Sequence, residues 1–242
     1  MANVPKTNPQ SGEHPEAAFT QEQGRVVEDI TCAALEKLGY PVVGRQVVLP
    51  DDYFVTGHID GMIADESYQA GDEPKLGFEH KHFGRYQYIE IFKRGLEDAA
   101  PELISQISLY GDALGWDSCL VVITSQDASG IKGERTQALR AKDKVKKDGT
   151  PYKVQEWALR DDFNAKVQIF EVDLAPYKKT LVPLLRERAE WLSKEGRNNP
   201  AMVLREHNPW QDNFPCGYCE WKTQCLSDGT GEMEAPILPW ML

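Results

Sequence analysis

Over residues 21–38 the apolar positions Val26, Val27, Ile30, Ala34, Leu35 and Leu38 recur at helical spacing, and Gly39 follows as a stop. The period then changes. Residues 41–49 and 53–63 are dense in Val, Ile and Tyr and are separated by Pro50, Asp51 and Asp52, which predicts two strands joined as a hairpin. A third strand is expected over 75–82, after a polar loop carrying Gly71, Asp72 and Pro74. Residues 86–96 and 101–114 read as helices. The second opens on Pro101 and Glu102, which suit a first helical turn, and ends at Gly115. The unbroken apolar run within 118–124 suits a strand covered on both faces, reached by a helical crossover. A strand over 167–172 and a helix over 177–194 complete the pattern. The order helix, three strands, helices, strand makes this an α/β chain with an αβββαβ core and a mixed sheet flanked by helices.

The ends look different. Residues 1–19 form a polar, Pro-containing stretch expected to be a disordered tail, the core is expected over 20–197, and 198–242 is rich in Pro, Trp and Cys, as an irregular cap would be. A length of 242 residues accommodates one well-buried core with an appendage. No apolar run approaches the roughly 20 residues of a membrane-spanning helix. The first residues also lack the apolar core of a secretory signal, so a cytoplasmic location is expected. A net charge of −11 argues against a protein that coats nucleic acid, so any such site must be local. The stretch 132–147, with Lys132, Arg135, Arg140, Lys142, Lys144, Lys146 and Lys147 against Glu134 and Asp143, is one candidate; a solvated helix face is the plainer reading.

Chemistry concentrates on the middle strands. Asp60 lies in Gly57-His58-Ile59-Asp60-Gly61, and Glu79 and Lys81 lie in Phe78-Glu79-His80-Lys81. Side chains alternate along a strand, so Glu79 and Lys81 share a face and an adjacent strand can bring Asp60 beside them. Two carboxylates suit Mg²⁺ or Mn²⁺, and an ammonium nearby can orient water or stabilise charge at a phosphate. An inter-strand salt bridge would leave the same pattern. The wider context adds Glu28 on the first helix, and Gln106 and Tyr110 one turn apart on a later one.

Taken together, helix Glu28, the GHID and ExK strands, Gln106-x3-Tyr110 and a terminal cysteine group resemble the RecB-like branch of the PD-(D/E)XK nucleases, which includes phage recombination exonucleases and CRISPR-associated exonucleases. The resemblance covers roughly residues 24–124 and 215–225. It implies a restriction-endonuclease-like core and a metal-dependent deoxyribonuclease, an exonuclease that serves recombination or end processing. It further implies that Asp60, Glu79 and the His80 main-chain carbonyl hold the metal, with Glu28 completing the shell directly or through water. Lys81 would position the attacking water, Gln106 and Tyr110 would hold the DNA strand, and His58 would contact a phosphate. The partners implied are DNA, as single strands or duplex ends, a recombination or CRISPR-type protein, and a second copy of the chain. A catalytically silent nucleic-acid-binding or assembly protein on the same fold is the alternative. A restriction-type endonuclease would share the metal site without calling for Gln106, Tyr110 or the cysteines.

Cys216, Cys219 and Cys225 give the spacing C-x2-C-x5-C, which in a cytoplasmic chain points to metal before disulfide. The resemblance implies a 4Fe-4S cluster closed by a fourth cysteine. Cys32 is the one available in the N-terminal part, although it follows Glu28 on the helix where relatives place the early cysteine ahead of it. His207 is the other candidate, and three thiolates with an imidazole would favour Zn²⁺. Either group would clip the cap to the core. Cys119, inside the apolar strand, reads as a small core residue.

Overall fold

The computed structural model describes residues 15–49, 57–64, 76–191, 193 and 194. The chain begins with α1 (Pro15–Lys37), followed by the short strands β1 (Val42–Val43), β2 (Val47–Val48), β3 (His58–Ile59) and β4 (Gly61–Ile63). Next come β5 (Leu76–Phe83), α2 (Arg85–Arg94), α3 (Leu96–Ala99), α4 (Pro101–Leu114) and β6 (Ser118–Ser125). The rest is α5 (Ala128–Ala141), α6 (Glu156–Leu159), β7 (Val167–Asp173), α7 (Ala175–Thr180) and α8 (Val182–Trp191). The main sheet has the order β1-β4-β5-β6-β7; β5 and β6 run parallel and the other pairs antiparallel. This is an α/β fold with a mixed five-stranded sheet flanked by helices.

Alternation along β5 and β6 divides the core between the two sheet faces. Phe78 and Val122 join Cys32 and Leu35 of α1 on one face. Cys119, Val121 and Ile123 turn to the other, where Tyr88, Ile91, Leu103 and Ile107 of α2 and α4 cover them. The parallel β5/β6 pair therefore carries apolar side chains on both faces, as the run within 118–124 anticipated.

Four boundaries differ from the sequence expectation, each for a local reason. First, α1 begins at Pro15, so residues 15–19 extend the helix where a tail was expected. Proline is tolerated there because a first-turn N–H has no helical partner anyway. Second, the expected hairpin does form, but it is split. The partners Val42↔Ile63 and Val43↔Met62 shift by one residue to Val47↔Ile59 and Val48↔His58. Three residues, Gly44 to Gln46, thus oppose two, Asp60 and Gly61, which is a β-bulge. Gly44 and Gln46 both stand at φ 55°, a left-handed conformation that glycine adopts at no steric cost and other residues seldom do.

Third, the first expected crossover helix stops at Arg94 and a separate turn, α3, follows Gly95. Fourth, the helix expected over 177–194 divides at Leu181 into α7 and α8. Pro183 lacks the N–H that would bond back one turn, and it restricts Val182 before it. The remainder of the expected tail and the whole of the expected cap, 198–242, lie outside the described residues. So do Cys216, Cys219, Cys225 and His207. No described helix is long and apolar enough to cross a membrane.

Candidate active site at the open edge of β5

β4 pairs with β5 only as far as Gly61↔Phe78. Beyond that point β5 continues from Glu79 to Phe83, hydrogen-bonded to β6 on one side while the bulge carries the neighbouring chain away on the other. Asp60 sits at this fork, in the gap between β3 and β4. Its Oδ2 accepts the His80 backbone N–H at 2.8 Å. The carboxylate thus takes the place a strand carbonyl would have filled.

Glu79 is 1% exposed. Its Oε1 accepts from the Lys81 ammonium and, at 3.0 Å, from Gln106 Nε2, while its Oε2 is buried with no hydrogen-bond partner among the described residues. Gln106 Nε2 also reaches the Tyr110 hydroxyl at 3.3 Å. Tyr110 in turn packs among Leu49, Ile59 and Trp116. A Cβ on Gly57 would lie 2.4 Å from the Tyr110 hydroxyl, so the strand entering the site can pass this close only as glycine.

A cleft of about 280 Å³ opens beside this network, lined by Gln21, Arg25 and Glu28 of α1 together with Asp60, His80, Lys81 and His82. The structure therefore brings Glu28, Asp60, Glu79, Lys81, Gln106 and Tyr110 to one neighbourhood. His58 is different: it is exposed on β3, facing away from Ile59 and Tyr110, and it does not line the cleft. Gln106 and Tyr110 were expected to hold DNA, yet their described contacts are with Glu79 and with the core, and Tyr110 is 5% exposed. Cys32 lies in the apolar cluster of α1 and β5, where burial raises its thiol pKa. Cys119 is fully buried, as a core residue would be.

Burial sets the electrostatics. It raises Glu28, Asp60 and Glu79, the last to about 7, and neighbouring acids add to it for Glu28 and Glu79. Burial works against the Lys81 ammonium, but the Glu79 and Asp60 charges carry its pKa above the ordinary lysine value. A cluster of carboxylates pushed toward their neutral forms is stabilised by added positive charge. The orphaned Glu79 oxygen fits the same need, so the donor set suits a hard cation. Among the described residues no three His, Cys, Asp or Glu side chains are already gathered as a metal-binding group.

Several participants were not anticipated from sequence. Arg45, carried on the bulge, ion-pairs with Glu28 and, at 2.7 Å, with Asp29. Hydrogen bonding to Asp29, and then to Glu28, raises the Arg45 pKa. The run Val42-Val43-Gly44-Arg45-Gln46-Val47-Val48 held the clue, because a Gly and two polar residues interrupt an otherwise β-branched strand. Thr124 Oγ1 lies 2.9 Å from His80 Nε2 and 2.8 Å from His82 Nδ1. The spacing of His80 and His82 already implied a shared face. Their common partner on β6 required the register.

No protein-family model, no curated protein and no solved structure matches this chain.

Proposed function

We propose that the chain is a metal-dependent deoxyribonuclease on a restriction-endonuclease-like PD-(D/E)XK core, an exonuclease that hydrolyses phosphodiester bonds in recombination or end processing. The observation that carries this reading is the buried Glu79, one oxygen held by Lys81 and Gln106 and the other without a partner among the described residues, beside Asp60. Asp60 and Glu79 would hold Mg²⁺ or Mn²⁺, with the His80 carbonyl and Glu28 completing the shell. When bound, the ion supplies Lewis-acid polarisation of a phosphate oxygen and lowers the pKa of water. Gln106 fixes the Glu79 carboxylate, and Tyr110 fixes Gln106, so both act as positioning residues. Lys81 holds the attacking water in line and offsets charge that builds on the phosphate.

The test is a cleavage assay on end-labelled and circular DNA, single- and double-stranded, with Mg²⁺, Mn²⁺ or EDTA. Loss of label from ends with either metal, silence with EDTA and sparing of circles are expected. No cleavage under any condition would overturn the enzyme reading. It would favour the silent DNA-binding alternative, for which the hold of Arg45 on Glu28 is the supporting observation.

The basic stretch divides under the same reading. Arg135 donates to the Phe163 and Arg160 carbonyls and lies over the Phe163 ring, a structural role, whereas Lys142, Lys144, Lys146 and Lys147 are exposed. Replacing those four lysines by alanine is expected to weaken DNA binding and flatten log affinity against log salt, by about 0.7–0.9 for each phosphate no longer neutralised. An unchanged slope would return the stretch to a solvated face.

For the cysteine group we propose a 4Fe-4S cluster, with Zn²⁺ as the alternative. Protein purified without oxygen is expected to be brown, with about four irons per chain, and to bleach when Cys216, Cys219 or Cys225 becomes Ser. Cys32→Ser decides the fourth ligand. Retained colour with a stability loss of about 1–3 kcal/mol, the cost of a hydroxyl in an apolar cluster, would mark Cys32 as core and turn attention to His207. A colourless protein holding one zinc would sink the cluster.

A further inference from the structure

Two helices leave the same end of the two parallel strands. α2 follows β5 after Gly84, α5 follows β6 within two residues, and Arg85 at the head of α2 ion-pairs with Glu134 on α5. Between them runs a groove of about 530 Å³, floored by Ile89, Trp157 and Ala158 and edged by Arg85, Tyr86, Glu90, Lys93, Glu134 and Lys153, with Arg85 paired to Glu134 and Lys93 to Glu90. The groove and the cleft share no lining residue, but both lie toward the end of β5. His82 lines the cleft and Arg85 the groove, three residues apart on one chain, at most about 11 Å. Ligands of open α/β sheets bind at this end of parallel strands.

Between Ala141 and Lys153, which both line the groove, the chain is basic. After α5 the chain makes a small hairpin, closed by the Val145↔Pro151 bridge and by Lys146 N–H donating to the Thr150 carbonyl at 2.7 Å. This stretch presents Arg140, Lys142, Lys144, Lys146, Lys147 and Lys153 against Asp143 and Asp148, in a chain whose net charge is −11. Aromatic rings stand among the cations: Tyr86 is 77% exposed on α2, and Tyr152 is 48% exposed on the hairpin next to Lys153. A large side chain so exposed contributes little to the fold, and a cationic track interleaved with exposed rings is the arrangement on which unpaired bases stack.

The geometry points to a single-strand nucleic-acid track: the α2–α5 groove and its basic hairpin bind one unpaired DNA strand, its bases stacked on Tyr86 and Tyr152, leading to the cleft. The inference rests on the nuclease reading for its destination, not for the binding itself. A groove of this volume takes a nucleotide or two rather than a duplex, and a duplex would present no free base face to the tyrosines. Charge complementarity selects the occupant, since an acidic strand meets a strongly basic stretch in an otherwise acidic chain.

The test is fluorescence anisotropy of a labelled 20-nucleotide oligothymidine and of a 20-base-pair duplex, with the full-length protein in EDTA so that no strand is cut. Tyr86→Ala is expected to weaken oligothymidine binding about 5- to 150-fold, the worth of one stacked base, and Lys153→Ala to lower its salt slope. Duplex affinity should change far less with Tyr86→Ala. Tyr40→Ala, at an exposed tyrosine beside the edge strand β1, should leave both unchanged. Wild-type oligothymidine affinity in the Tyr86→Ala and Tyr152→Ala proteins would overturn the track, as would equal losses on both probes. The outcomes separate cleanly: selective loss of oligothymidine binding in a protein that never cuts DNA keeps the track and discards the nuclease. Unaltered binding by variants of a protein that does cut keeps the nuclease and discards the track.

Discussion

Asp60→Ala, Glu79→Ala and Lys81→Ala proteins are each expected to lose DNA cleavage by about 10³-fold or more, the several kcal/mol that a cation ligand or a charge beside the reacting phosphate contributes. The expectation follows from what each side chain does in the fork. Asp60 has one carboxylate oxygen committed to the His80 N–H and lines the cleft with the rest of its surface. Glu79 offers the orphaned Oε2, and Lys81 is its cationic neighbour. Glu79→Gln preserves shape while removing the charge, so it should fail with Glu79→Ala. Gln106→Ala, which only frees the carboxylate, should cost less and be felt in kcat more than in KM. Cleavage of linear DNA at the wild-type rate by any of the three alanine proteins would put the active site elsewhere. Circular dichroism melts distinguish lost chemistry from lost fold.

The metal-free Glu79→Gln protein is also expected to gain stability relative to wild type as pH rises. Folded Glu79 keeps its proton up to about pH 7, whereas in the unfolded chain it is released near 4.5. The folded state therefore binds the extra proton across this window, and wild-type stability contributed by the group is present below pH 4.5 and lost on approach to 7, by up to ~3 kcal/mol. His80 works in the opposite sense, because burial lowers its pKa to about 4 from 6.5, so its contribution is lost as pH falls between those values. Both proteins carry His80, so the difference between their melting curves isolates Glu79. The attraction of Lys81 is already part of the Glu79 shift, since the ion pair forms only as Glu79 loses its proton. Denaturation in EDTA at intervals from pH 4.5 to 7.5 provides the measurement. Parallel stability curves would show that Glu79 is already ionised in the fold, and saturating Mn²⁺ should erase the slope in wild type alone.

Regular elements were legible where one physical rule dominates. The apolar run ending in Ile123 gave β6 to within a residue, and Pro101, Glu102 and Gly115 gave both ends of α4. Alternation placed Glu79 and Lys81 on a common face, and their contact follows from that spacing. Where tertiary geometry decides, the pattern was silent. Four valines around Gly44, Arg45 and Gln46 read as one strand, because bulge and strand differ by a single unpaired residue. Arg45 therefore came to the site unannounced. Tyr110 was visible as the neighbour of Gln106 on one helix face, but its burial against Ile59 and Trp116 depends on the path of β3. His58 carries the same local signal as Asp60, and only the shift of register between β3 and β4 separates an outward ring from an inward carboxylate.

On the nuclease reading, that register shift would set catalysis and thermal robustness against each other. Deleting one residue between Gly44 and Gln46 would let β1 and β2 run on as a single strand against β3 and β4, restoring ladder bonds and removing two left-handed residues. By ordinary criteria of protein engineering such a chain is improved. It would also slide one arm of the hairpin by a residue, and a slip of one turns side chains to the opposite face. Asp60 would no longer meet the His80 N–H, and Arg45 would no longer reach Glu28. A library selected for heat resistance alone should therefore accumulate deletions at this spot and drift toward inert proteins, while selection on activity should keep the irregularity and leave the stabilising changes to the helices behind the sheet.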